Sequence, residues 1–216
     1  MTDRFSALLA ALGEDLPGGD DGAHDLAHIR RVWANARRIA AEEGGDPDVL
    51  AAAVLLHDCV HVEKSSPLRD QASRLAAQRA AAILTGHGWD QAQVGRVAHA
   101  IAAHSFSAAI IPESLEARVL QDADRLDAIG YIGIARCFYT AGRMGSALYH
   151  DEDPAGTARN LDDRSFALDH FRAKLLTLAQ GFQTATGARL AQERTTVLAD
   201  FVAGFESEIA GQDSNG

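Results

Sequence analysis

Residues 46–58 read Asp-Pro-Asp-Val-Leu-Ala-Ala-Ala-Val-Leu-Leu-His-Asp. Asp46 and Pro47 are the capping aspartate and first-turn proline of a helix start. From Val49 to Leu56 the chain is then apolar without interruption. A helix with no polar face is covered on every side, so this one belongs at the centre of a helical fold. It ends in His57–Asp58. Titratable groups at the tip of a buried helix cost on the order of several kcal/mol to desolvate unless they are paired or bound to a cation. Imidazole beside carboxylate suits a divalent ion of intermediate hardness, such as Mn, Fe, Co, Ni or Zn. An isolated His-Asp dipeptide is more often a satisfied core pair, since a metal site needs several ligands.

Outward from this helix, glycines, prolines and capping residues divide the chain into further helices. One runs from about residue 21 or 24 to 43, with Leu26, Ile29, Trp33, Ala36 and Ile39 as its apolar stripe, and stops at Gly44–Gly45. After a loop broken at Ser65–Ser66–Pro67, helices follow at about 70–84, 90–104, 112–129 and 131–143. The polar stretch 144–163 reads as a surface loop long enough to suggest a function. Two helices, about 165–184 and 188–209, break near Gly187, and 211–216 reads as a disordered tail. The expected fold is all-α: a single domain of 216 residues, a helical bundle with a C-terminal helix pair.

Composition agrees. There are 42 alanines, and hydrophobic residues make up 47% of the chain against 6% aromatic, which implies closely packed aliphatic helices. The formal charge of −10 repels phosphate backbones over most of the surface and argues against broad nucleic-acid binding. Cys59 and Cys137 are far apart and lack CxxC spacing, so neither a disulfide framework nor a cysteine zinc site is expected. Met1–Leu12 does not read as a signal peptide, and no run spans a bilayer, so a cytoplasmic protein is expected. Flat alanine-rich helices also admit a homodimer.

Other residues can join His57–Asp58. His28 lies on or beside the apolar face of its helix. In Val119–Ile129, apolar positions 119, 120, 123, 126 and 129 leave Asp122 and Arg125 leaning outward, with Asp124 and Asp127 on one flank. Spacing alone does not choose among these aspartates. The pattern HDxxH occurs at His24–His28 and again at His57–His61, but its flanks do not repeat and the echo reads as chance.

The order His28, His57–Asp58, Asp124 resembles the H…HD…D pattern of the HD-domain metal-dependent phosphohydrolases. The blocks His28–Val32, Leu55–Asp58, His104–Ser107 and Asp122–Gly130 look like the small stand-alone bacterial branch, and the likeness extends through the C-terminal helix pair. The resemblance implies His28, His57, Asp58 and Asp124 as ligands of one divalent ion (Mn favoured; Mg, Ni, Co, Fe or Zn as alternatives). It also implies hydrolysis of a small nucleotide by metal-activated water, with (deoxy)nucleoside triphosphates cleaved to monophosphate and pyrophosphate. A 5′-nucleotidase, a hydrolase of cyclic or hyperphosphorylated nucleotides, and a non-catalytic nucleotide sensor are the alternatives. Asp58, His61 and His104 are the expected catalytic groups, and Lys64, Arg69, Arg125 and Arg143 the expected phosphate contacts. His99 reads as packed or exposed. Phe106, Phe138, Tyr139 and Tyr149 are candidates for stacking on the base. A zinc peptidase built on His57-x3-His61 is rejected, because position 58 is aspartate where a glutamate base is required.

Overall fold

A computed structural model describes residues 4–13, 26–60, 62, 69–105 and 108–212. Among these are helices α1 (Arg4–Leu12), α2 (Leu26–Glu43), α3 (Pro47–Leu56), α4 (Ala72–Gly86), α5 (Gln91–His104), α6 (Leu115–Leu126), α7 (Gly130–Met144), α8 (Ala167–Ala173) and α9 (Ala185–Ile209). The described residues contain no strand, only an isolated parallel bridge between Ala147 and Phe166, and the fold is all-α. Two compact units divide the chain. The first is Met1–Asp124 with Gln183–Gly187, and the second is Arg125–Phe182 with Ala188–Gly216.

In the first unit, α3 lies at the centre as its composition requires: every residue from Val49 to Leu56 is at most 2% exposed. Its start is built as the sequence implies, with the Asp46 carboxylate accepting from the amides of Asp48 (3.0 Å) and Val49 (3.4 Å). Arg96 of α5 donates to Asp46 (3.0 Å) and to Glu116 of α6 (2.8 Å), and Glu116 also accepts the Asp46 amide (2.9 Å). Helix α1 lies outside the segments expected from sequence. It buries only Phe5 and Leu12, too short a pattern for periodicity to detect. Phe5 stacks on Trp33 at 5.3 Å, and Arg4 pairs with Asp48.

Helix α6 begins at Leu115, not Pro112, because the Ser114 hydroxyl accepts the Ala117 amide (3.1 Å). The break expected near Gly187 falls at residues 182–184, and that glycine itself lies in the first turn of α9. A Cβ there would stand 2.3 Å from Asp122 Oδ2. Glycine is needed for a close approach, not for a helix stop.

In the second unit, Phe138, Phe171, Phe201 and Phe205 form the core, with ring centroids 5.5–5.8 Å apart. The helix expected over 165–184 is two pieces. It breaks at Lys174 (φ −140°, ψ −59°), and Leu175–Gly181 continues as a tighter 3-10 turn. The Arg125 guanidinium ties down the end of that turn, donating to the carbonyls of Leu178 (3.0 Å) and Gly181 (3.1 Å).

The stretch 144–163 is a folded loop. Asp169, fully buried, receives both terminal nitrogens of Arg159 (2.5 and 2.7 Å) and the Asp162 amide (2.7 Å). Asp153 caps Thr157 and Ala158 within the same loop. Burial pushes the Asp169 carboxyl up, but the Arg159 and Asp162 hydrogen bonds outweigh it and hold the carboxyl below its usual range. The folded value is therefore below the unfolded value of about 4. The stabilisation is complete above that range and is lost as pH falls through the folded value. An acid titration followed by circular dichroism should show the native signal declining below pH ~4. Asp169→Asn should remove part of that dependence, and an unchanged acid limb in the variant would contradict the assignment.

Candidate metal centre

Four helix ends converge in the first unit. His28 projects from the first turn of α2 on the face shared with Val32, Asn35 and Ile39, all of which are buried. His57 and Asp58 follow the last residue of α3, and His104 ends α5. Asp124 lies in the last turn of α6. His28 and His57 are fully buried, whereas the side chains of Asp58 and Asp124 remain 32% and 29% exposed. The imidazoles thus form the floor of the site and the carboxylates its open side.

The ring orientations follow from hydrogen bonding. His57 Nδ1 faces the Val54 carbonyl at 2.8 Å and His104 Nδ1 faces the Ile101 carbonyl at 2.6 Å. A carbonyl only accepts, so both Nδ1 atoms carry hydrogen and the Nε2 lone pairs point away from the backbone. His57 Nε2 lies 3.3 Å from His28 Nε2. Asp58 Oδ2 is 3.6 Å from His57 Nε2 and 3.9 Å from His28 Nε2, and Asp124 Oδ1 is 3.9 and 3.5 Å from the same atoms. His28, His57 and Asp58 each offer a ligand atom within 4.8 Å of the others. Imidazole nitrogens facing each other between two carboxylates are a donor set suited to a divalent transition ion, with the Val54 carbonyl holding the His57 ring as second-shell groups do.

His104 extends the cluster. Its ring meets His57 edge-on at 5.1 Å, and its Nε2 is 3.8 Å from Asp58 Oδ1. Burial and neighbouring His57 push its pKa down against the opposing pull of Asp124 and Asp58.

The structure thus brings together His28, His57, Asp58, Asp124 and His104. Other candidates among the described residues have different partners. Asp122, expected to lean outward, is fully buried, because its flank of α6 is covered by residues 183–187. It accepts from the Gln183 amide (2.8 Å), the Thr184 amide (2.8 Å) and the Thr184 hydroxyl (2.7 Å). Asp127 belongs to the second unit, 1% exposed and paired with Arg136 (3.0 Å). Arg125, expected at a phosphate, anchors the 178–182 segment and lies over Phe182. Arg143 is exposed in the second unit with its guanidinium 5.8 Å from the Tyr139 ring centre. His99 accepts the Glu113 amide (3.1 Å). Phe138 is in the aromatic core, and Tyr149 packs edge-on against Phe205. His24, Asp25, His61, Lys64 and Phe106 lie outside the described residues, as does the Arg69 side chain.

Comparison with known proteins identifies the family. The HD-domain family model matches residues 25–129, the span that carries all five clustered side chains. The protein YpgQ of Bacillus subtilis is 36% identical over 199 residues, covering 90% of this chain and 89% of its own. The chain belongs to the HD-domain family. An HD-superfamily hydrolase from Bacillus thuringiensis has a similar structure (TM-score 0.72, 29% identity, 97% of this chain and 96% of that one). So has YpgQ in complex with ADP (TM-score 0.73, 32% identity, 96% and 97%). The protein is therefore an HD-domain hydrolase of the metal-dependent phosphohydrolase class. Among its described residues, no helix is long and apolar enough to cross a membrane.

Proposed function

We propose that this HD-domain hydrolase adds water across the α–β anhydride of (deoxy)nucleoside triphosphates, giving nucleoside monophosphate and pyrophosphate. The observation that carries this reading is the nucleotide in the YpgQ structure, ADP, which contains the same α–β anhydride, combined with the His28–His57–Asp58 cluster. A divalent ion, with Mn favoured, would be held by His28, His57, Asp58 and Asp124, and when bound it supplies Lewis acidity toward water and phosphoryl oxygen.

The chain's own groups do the rest. Asp58 sits between two environments, its Oδ2 toward the His28–His57 pair and its Oδ1 toward His104. The Ile101 carbonyl holds the His104 ring so that Nε2 is free to accept hydrogen from the attacking water. A phosphate would approach from the side on which Asp58 and Asp124 are exposed. His61, Lys64 and Arg69 follow Asp58 in sequence and are proposed phosphate contacts, which offset charge developing on the leaving pyrophosphate.

Pyrophosphate and orthophosphate, measured separately over a panel of nucleotides with Mn2+, test the reading. Pyrophosphate in step with monophosphate from triphosphates is expected. Orthophosphate from nucleoside monophosphates would move the assignment to a nucleotidase, and release of neither would favour a sensor.

A further inference from the structure

The aspartate expected to complete the cation set is the one ligand that comes from the last turn of a helix, where backbone carbonyls run short of helical donors and the chain tends to fray. Two buried side chains brace this turn. Asn35, 8% exposed, donates through Nδ2 to the Ala123 carbonyl at 3.0 Å. Gln121, 4% exposed, donates through Nε2 to the Ala103 carbonyl at 2.8 Å.

Each brace ties the Asp124 turn to a helix that carries another member of the cluster. Asn35 lies seven residues after His28, hence on the same face of α2, roughly 10 Å along the axis. Helix α2 therefore meets the end of α6 at two levels, through His28 facing Asp124 (3.5 Å) and through Asn35 at the preceding carbonyl. Gln121 lies three residues before Asp124, and the carbonyl it reaches is adjacent to His104. Both are neutral amides whose donors meet backbone oxygens inside the core, so each contact fixes a distance without adding charge to a cluster that already holds two carboxylates.

We propose that Asn35 and Gln121 are positioning residues that set the reach of Asp124 toward the imidazole pair. This rests on the reading that Asp124 completes the cation set. Neither residue touches the substrate or the reacting atoms. Their effect is on how tightly the cation is held.

The test is titration of the chelator-stripped full-length protein with Mn2+ by calorimetry, alongside thermal unfolding of the stripped protein. Asn35→Leu and Gln121→Met each remove the amide donor while keeping a side chain of similar length. Each is expected to raise the Mn2+ dissociation constant about 10–100-fold, the scale for losing a partner that orients a ligand. Arg96→Gln is the control. It loosens the contacts to Asp46 and Glu116 in the same unit, and is expected to lower the unfolding midpoint while leaving the Mn2+ affinity within twofold. If Asn35→Leu does not fold, Gln121→Met carries the test from the other side of the turn. Tight binding by the parent and unchanged affinity in the folded variants would overturn the inference alone. No binding by the parent would overturn the cation site, and the inference with it.

Discussion

Replacing Asp58 with alanine is expected to lower kcat/KM for nucleoside triphosphates by at least about a hundredfold, the upper end of what removing even an outer-shell metal partner costs. One oxygen of this carboxylate faces the His28–His57 pair and the other faces His104. The variant therefore loses a proposed cation ligand and the carboxylate that faces both the imidazole pair and His104. With 32% of its side chain exposed, Asp58 contributes little to packing, so the stripped variant should unfold within a few degrees of the parent. Activity near the parental level, in a variant shown to be folded, would remove Asp58 from the chemistry.

The second large effect concerns folding. Gly187→Ala places a Cβ 2.3 Å from Asp122 Oδ2 and 2.7 Å from the Thr184 hydroxyl oxygen. Neither neighbour has room to yield. Asp122 is fully buried and already accepts from two amides and a hydroxyl, and the Thr184 hydroxyl accepts the Gly187 amide at 2.9 Å. Moving the carboxylate strands buried donors, and hydrogen bonds to a charged group contribute about 1.5–3 kcal/mol each. The expected loss is roughly 3 kcal/mol or more, a fall in unfolding midpoint on the order of 6–12 °C for a chain of this length. A midpoint within 2 °C of the parent, read by calorimetry, would show that the start of α9 moves freely. The glycine's cost as a helix residue is about 1 kcal/mol relative to alanine, so alanine stabilises here unless the close approach is real. The sign of the change decides the matter.

These two sites differ in how far the sequence discloses them. Residues 46–58 carry their own explanation, because an apolar helix capped by Asp46–Pro47 and ending in His57–Asp58 has one low-cost location, the core, and few uses for its polar tip. The pairing with His28 and Asp124 is legible only through the HD-domain resemblance, since nothing in spacing distinguishes Asp124 from Asp122 or Asp127. The structure separates them by what covers each flank of α6. Residues 183–187, some 60 positions downstream, take Asp122, and Arg136 takes Asp127. Long-range cover of this kind leaves no local pattern.

The same physics accounts for the other differences. Gly187 reads as a helix stop because a close approach by a carboxylate is invisible in one dimension. The segment after Lys174 tightens into a 3-10 turn whose end is held by Arg125, more than 50 residues away in sequence, a contact with no local signal. Arg159, in the polar stretch, pairs with Asp169 of α8 and so ties the loop down, a contact with no local signal. Asn35 and Gln121 have no signal short of the structure, since an amide within an apolar pattern reads as an imperfection of the pattern.

The measurement that bears most directly on the whole reading is pyrophosphate release from a triphosphate by one sample taken through chelation and Mn2+ add-back. Release should stop on chelation and return with about one equivalent of Mn2+ per chain, and no Mn2+ should restore it in Asp58→Ala. Pyrophosphate release that continues undiminished after chelation would contradict the cation centre drawn from His28, His57, Asp58 and Asp124.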